Sequence, residues 1–400
     1  MSTRKELFVK HQGQTTPYSM ALDIEKAEGS FLWDKDGKRY LDLVAGVSAC
    51  TLGHCHPAIV DAVKIQAEKY MHVMVYGEFI QDPQIELALA YADHLPDSLN
   101  CTYFVNSGVE AIEAAMKLAK RATGRTEMVS CLSSYHGSTQ GALSIMGSDL
   151  QKSKYRPLLP QCKQIIYNDE SSLSIINEST AGVVIEPIQG ASGFLVPSHH
   201  FLEKVKARCE EVGALLIFDE IQTCYGRTGK MFGFEYFDVI PDILCLAKGM
   251  GGGMPIGAFI ASTELMHLLK ENPTLGHITT FGGHPVSCAA SLATWKVLKS
   301  TDIIDKVPLK EKIFRQKLVH PLINCINGLG LMLSIDVVSD DVCNRLVDKL
   351  MEKGLISFFF LFRTDAVRLS PPLTISEEEI YWACEQILTS LDEIQEEIAL

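Results

Sequence analysis

The chain has 400 residues, 47% of them hydrophobic and 21% charged, which is long enough for two domains with a sizeable core. The formal net charge of −13, with 36 Lys+Arg against 49 Asp+Glu and no long basic run, argues against nucleic-acid partners and for a small-molecule ligand. Met1 to Pro17 is polar and mixed in charge, without the apolar centre of a signal peptide, and no later run reaches spanning length, so a cytoplasmic, membrane-free protein is expected.

In chain order, Phe31-Leu32-Trp33 and Arg39-Tyr40-Leu41-Asp42-Leu43 read as two strands of a hairpin around Asp36-Gly37. Twelve cysteines lie scattered from Cys50 to Cys384 without a CxxC pair, many within apolar runs, so reduced and mostly buried thiols are expected. Cys50, His54, Cys55 and His56 form the densest ligand-like group but lack a second pair at zinc spacing. No metal is expected, and these residues read as a loop leading into a helix opened by Pro57.

From about residue 100, short apolar runs alternate with amphipathic stretches, the pattern of a mainly parallel sheet flanked by helices. Strands are predicted at Thr102 to Val105, Met128 to Leu132, Val183 to Ile185, Leu215 to Phe218 and Ile243 to Leu246. Ser107-Gly108-Val109-Glu110 has the form of a capping box for a helix running to about Gly124. A second helix shows Phe201, Val205, Cys209 and Val212 on one face and stops at Gly213. The cluster Phe358 to Phe362 suits one buried strand, and the last helix, capped by Ser376 and Glu379, buries Ile380, Cys384, Ile387, Leu391 and Ile394. The expected division is a large ligand-binding domain over residues 51–285 and a smaller α+β domain built from 1–50 and 286–400.

Four groups stand at strand ends. Asp219 follows an apolar strand, where ligands bind in open α/β sheets, although an acid there also serves as a plain helix cap. Lys248 follows another such strand and precedes Gly249 and Gly251-Gly252-Gly253; such a lysine is usually solvated, but against a carbonyl it forms a Schiff base and shuttles protons. Ser107 and Gly108 begin a helix, a ready phosphate site or merely a good cap, and Tyr135-His136-Gly137 offers an aromatic ring to a planar ligand or to ordinary packing. Together a phosphate cradle, a stacking ring, a carboxylate and an amine meet the needs of pyridoxal phosphate.

The order and wording of these motifs resemble the class-III, fold-type I pyridoxal 5'-phosphate aminotransferases over nearly the whole chain, through Asn106-Ser107-Gly108-Val109-Glu110-Ala111, Glu186-Pro187-Ile188-Gln189-Gly190, Asp219-Glu220-Ile221-Gln222-Thr223, Gly226-Arg227-Thr228-Gly229, Ala247-Lys248-Gly249 and Thr279-Thr280-Phe281-Gly282-Gly283. The resemblance implies that Ser107 and Gly108 bind the phosphate, Tyr135 stacks on the ring, Asp219 pairs with its nitrogen, Gln222 approaches the 3-hydroxyl, and Lys248 carries the cofactor as a Schiff base. It further implies a homodimer with Thr280 on the partner's phosphate, and makes Glu186 and Arg368 a switchable ion pair for substrate carboxylates.

The implied reaction is ping-pong transfer from an ω-amino donor of the acetylornithine/ornithine kind to a 2-oxo acid such as 2-oxoglutarate. The alternatives are transamination of another amine or β/ω-amino acid, or an aminomutase or decarboxylase on the same fold. Two positions depart from the pattern of the relatives: Ser138 stands where many have a carboxylate-binding arginine, and Ala191 where an acid is common; Val47 matches the aliphatic residue of acetylornithine- and GABA-type members, where ornithine-specific ones tend to carry tyrosine.

Overall fold

The computed structural model describes residues 3–198 and 200–399. In chain order its strands are β1 (Ile24–Glu28), β2 (Phe31–Asp34), β3 (Arg39–Asp42), β4 (Cys101–Val105), β5 (Glu127–Cys131), β6 (Cys162–Ile165), β7 (Thr180–Ile185), β8 (Leu215–Asp219), β9 (Ile243–Leu246), β10 (Gly257–Ala261), β11 (Ile323–Leu329), β12 (Met332–Val337), β13 (Leu355–Ile356) and β14 (Ala366–Leu369). Seven of them form one sheet in the order β4-β10-β9-β8-β7-β5-β6, where only β10 runs against its neighbours.

Strands β5, β7 and β9 are buried along their whole length, Glu127 and Ser130 of β5 included, as strands covered on both faces are. On β8, Leu216 and Phe218 join the core under helix Phe201–Val212, while Ile217 points to the opposite core under helix Gly108–Thr123. The carboxyl ends of β4, β5, β7, β8 and β9 all open on one edge of the sheet, and every strand-end residue singled out from the sequence lies there.

Both helix stops follow their glycines, with Gly124 at φ +69° and Gly213 at φ +70°, conformations that cost a Cβ-bearing residue energy. The helix Glu377–Ala399 begins with the expected reciprocal cap: Ser376 Oγ accepts from Glu379 N (3.1 Å), and the Glu379 carboxylate accepts from Ser376 N (2.8 Å). Its predicted apolar stripe is buried at every position.

The hairpin of β2 and β3 is extended by β1 on one side and by β13, in parallel, on the other, so one small sheet takes strands from both ends of the chain. A second small sheet, β11-β12-β14, is antiparallel. A boundary at residue 286 falls inside helix Pro285–Ser300, which packs on helices Pro57–Lys69 and Asp82–Ala92. One expectation needs correction. Phe358 to Phe362 is not a strand but an irregular turn with a single bridge, Phe359 to Val367; Phe360 is buried while Phe359 and Leu361 are about half exposed. Its aromatic run serves an arginine rather than a sheet.

Candidate active site

The sheet edge opens on a cavity of about 910 Å³, at the upper end of the range for small-molecule sites. At the end of β4, Ser107 caps helix Gly108–Thr123 by accepting from Glu110 N (3.3 Å). The predicted capping box is displaced by one residue: the Glu110 carboxylate accepts from Asn106 N (2.7 Å) and Asn106 Nδ2 (2.9 Å) instead of from Ser107 N. That shift leaves Ser107 N without its reciprocal bond to Glu110, and Ser107, Gly108 and Val109 line the cavity at a helix start, a favourable place for an anion. Gly108 is needed for close packing, since a Cβ there would lie 2.6 Å from Ile221 Cδ1.

Asp219, at the end of β8, is 5% exposed. Its Oδ1 accepts from Ile221 N (3.1 Å), and its Oδ2 accepts from His136 Nδ1 (2.8 Å). Burial disfavours a charged His136, but the Asp219 hydrogen bond and charge, aided by Glu186, outweigh it and raise the imidazole's pKa. His136 Nε2 is buried without a hydrogen-bond partner among the described residues. In the sequence His136 stands out only as a neighbour of Tyr135, and no local spacing encodes this partnership.

Lys248 follows β9 and lines the same cavity, with backbone φ +47°, a left-handed conformation that favours glycine and marks strain at a working position. Burial lowers its pKa; Asp219 and Glu186 oppose that and Arg368 adds to it, with the net shift downward. The amine is therefore more readily neutral, as a nucleophile must be. Tyr135, about one-third exposed, presents its ring to the cavity with its hydroxyl 3.2 Å from Ser138 Oγ. Gln222 lines the cavity as well and donates to Ser48 Oγ (3.2 Å).

Glu186 and Arg368 both reach the cavity, but the structure does not join them. Glu186 accepts from Gly190 N (2.7 Å) and Tyr135 N (3.2 Å), and burial, with Asp219 adding, pushes its pKa up to about 7 against His136 and the two backbone donors. Arg368 sits among Phe360, Phe194 and Phe358, its guanidinium carbon 4.6, 5.3 and 5.4 Å from their ring centres. Its Nε is buried without a partner among the described residues, and burial brings its pKa down to about 10, still charged at neutral pH. The expected ion pair is thus open here, because backbone amides satisfy the glutamate and aromatic faces surround the arginine. Thr280 does not line the cavity of its own chain; it is exposed.

His54, from the metal-like cluster, is bonded to Asp42 (2.8 Å), and all twelve cysteines are free thiols. Among the described residues, no group of His, Cys, Asp and Glu is arranged to hold a metal ion, and no helix is long and apolar enough to cross a membrane.

Residues 13–391 match the family described as aminotransferase class-III. The chain belongs to the class-III aminotransferases. It is 36% identical to the acetylornithine aminotransferase of Methanopyrus kandleri over 97% of this chain and 98% of that protein, and 37% identical to that of Bacillus subtilis over 90% and 92%. Among solved structures, it resembles the ornithine aminotransferase of Toxoplasma gondii at TM-score 0.91 and 31% identity, covering 99% of this chain and 97% of that one. The class-III aminotransferase is therefore an enzyme of the fold-type I architecture, and its cofactor is pyridoxal 5'-phosphate. The residues present fit that group: a helix start with free donors for the phosphate, a buried carboxylate for a protonated ring nitrogen, and an amine of lowered pKa for the aldehyde.

Proposed function

We propose that the enzyme moves an amino group from an ω-amino donor of the N-acetylornithine type to a 2-oxo acid. The observation that carries this reading is Arg368, a buried guanidinium without a counter-ion among the described residues that shares a cavity with Lys248 and so is available to a substrate carboxylate. The relatives named acetylornithine aminotransferase agree with it. A donor without the acetyl group is favoured less, since Val47 rather than an aromatic residue lines that wall.

When bound, the cofactor supplies a carbonyl for amines and a ring that accepts the electrons of a broken C–H bond. The chain does the rest. Ser107 and Gly108 hold the phosphate, Tyr135 covers a ring face, and Gln222 meets the 3-hydroxyl. Asp219 keeps the proton on the ring nitrogen, with His136 fixing the carboxylate's orientation. Lys248 would hold the cofactor through its amine and, when that amine is free, would take the proton from the donor's amine-bearing carbon. Thr280, exposed on its own chain, serves the phosphate of a second copy in a homodimer. Cytoplasmic placement accompanies this reading.

A second reading, another amine or β/ω-amino acid donor, is favoured by Ser138, which puts a hydroxyl rather than a cation on the cavity rim. A donor screen on the purified, cofactor-loaded enzyme, followed by the loss of bound-cofactor absorbance, separates the two. N-acetylornithine is expected to react fastest and Lys248→Ala to react with none; a faster response to simple amines would replace the first reading with the second. Borohydride reduction should fix the cofactor to Lys248 alone.

A further inference from the structure

The loop that carries Thr280 is held by side chains of its own chain. At its start Tyr103 Oη donates to His277 O (2.9 Å) and Lys117 Nζ to Gly276 O (3.1 Å), and at its end Gln84 Nε2 donates to Gly283 O (2.6 Å). Between these anchors Asn106 Nδ2 donates to Thr279 Oγ1 (2.8 Å), the one side-chain hydrogen bond to residues 278–282 among the described residues. Tyr103, Lys117 and Gln84 lie outside the active-site cavity, whereas Asn106 lines it beside Ser107 and Gly108. Both N–H hydrogens of the Asn106 amide are committed, one to Thr279 and the other to the Glu110 carboxylate (2.9 Å), which also accepts from Asn106 N (2.7 Å). A carboxylate that grips both the side chain and the backbone of one residue leaves its amide little freedom to turn. Thr279 is thereby tied to the start of helix Gly108–Thr123, and Gly282 lets the loop lie close, since a Cβ there would come within 2.6 Å of Phe104 O. Thr279 is half-buried and bonded to its own chain, while Thr280 beside it is exposed.

We infer that Asn106 and Thr279 are positioning residues that act through Thr280: a strut from one chain's phosphate cradle fixes the threonine that serves the phosphate of a second copy. The inference rests on the shared-site homodimer proposed above and deepens it. A hydroxyl on a loop already held in place loses less freedom on binding than one on a loose loop, so the strut raises the partner's affinity for its cofactor without touching it.

Cofactor affinity of the holoenzyme, measured by equilibrium dialysis, gives the first test. Valine keeps the shape of threonine but lacks the acceptor oxygen, so Thr279→Val should weaken binding about three- to tenfold, and Thr279→Ser should restore it. In a chain that already carries Thr280→Ala, Thr279→Val should add less than about twofold, because the residue it positions has lost its hydroxyl. Asn106→Ala combined with Thr279→Val should likewise lose less than the two separately. Unchanged affinity in Thr279→Val, or full additivity with Thr280→Ala, would overturn the inference.

Mixed dimers show which site feels the change. A Lys248→Ala chain is paired with a Thr279→Val chain at limiting cofactor, and the cofactor that borohydride fixes to Lys248 is counted by mass. The intact Lys248 then lies on the Thr279→Val chain while its Thr280 comes from the partner, whose strut is whole, so fixation should reach the level of the unmodified enzyme. Fixation at the level of the Thr279→Val homodimer would confine the effect to one chain and overturn the inference. The pairing of Lys248→Ala with Thr280→Ala is the control: no recovery there removes the shared site and the inference with it, whereas recovery there alone overturns only the inference.

Discussion

Asp219 and Glu220 are adjacent carboxylates at the end of one strand, both buried, and they do different work. Asp219 faces the cavity, holding His136 with one oxygen and Ile221 N with the other. Glu220 faces the protein, where it accepts from Thr223 Oγ1 (2.7 Å), Gly233 N (2.6 Å) and Phe234 N (2.6 Å). Three internal donors saturate it and tie the loop after β8 to the turn at residues 233–236. Burial alone therefore does not mark a reacting acid. What separates the pair is whether the remaining lone pairs look into the protein or into the cavity.

The largest effect expected from breaking this contrast is that of Asp219→Asn. An amide keeps the shape but gives up the charge that favours a protonated His136 and a protonated ring nitrogen, so kcat should fall by several powers of ten with cofactor still bound. Rapid-mixing kinetics together with the cofactor spectrum check it, and near-normal turnover would remove Asp219 from the mechanism.

Glu220→Gln should act on stability instead. Burial raises the Glu220 pKa to about 7 despite its three donors, so the folded chain holds this proton where the unfolded chain releases it. Stability from that proton is complete below the unfolded value near 4.5 and is lost as pH rises toward 7, an amount on the order of 3 kcal/mol. Denaturant unfolding at several pH values should show the unmodified protein losing stability over that window relative to Glu220→Gln, while turnover of the folded variant stays within about twofold. Parallel pH profiles of the two proteins would count against this account.

The smallest effect concerns Thr280, which belongs to neither acid. In the proposed dimer, Thr280→Ala removes one hydrogen bond to a phosphate, about 1.5 kcal/mol or tenfold in cofactor affinity. At limiting cofactor, mixed dimers of Lys248→Ala and Thr280→Ala chains should regain activity above the sum of the two parents, because one site in each becomes complete. No recovery in a proven mixed dimer would mean that each chain serves itself.

Much of this arrangement is legible in the sequence because it depends on local rules. The strands that carry Asp219 and Lys248 are unbroken apolar runs, the stops at Gly124 and Gly213 need a left-handed residue, and Ser376 and Glu379 form their cap within one helical turn. What the sequence hides is long-range. His136 meets Asp219 across 83 positions, so neither residue's neighbours announce the other. The Phe358 to Phe362 run has the composition of a strand, yet Arg368 N bonds to Phe358 O and the guanidinium draws the rings around it. Glu110 reaches Asn106 rather than Ser107, a choice between adjacent amides that capping rules do not resolve. Helix Pro285–Ser300 packs on helices Pro57–Lys69 and Asp82–Ala92, and its own periodicity is silent on that.

Ile221 connects two of these features. Its side chain fills the space that Gly108 leaves open at the helix start, and its backbone N–H holds Asp219. One residue thereby sets the span between the helix start at Gly108 and the carboxylate, much as a caliper holds its jaws. Ser138 and Leu361, the latter on the irregular turn, also line the cavity and take no part in that spacing. Substitution at Ser138 or Leu361 therefore changes the cavity wall while leaving the span between helix start and carboxylate as it is.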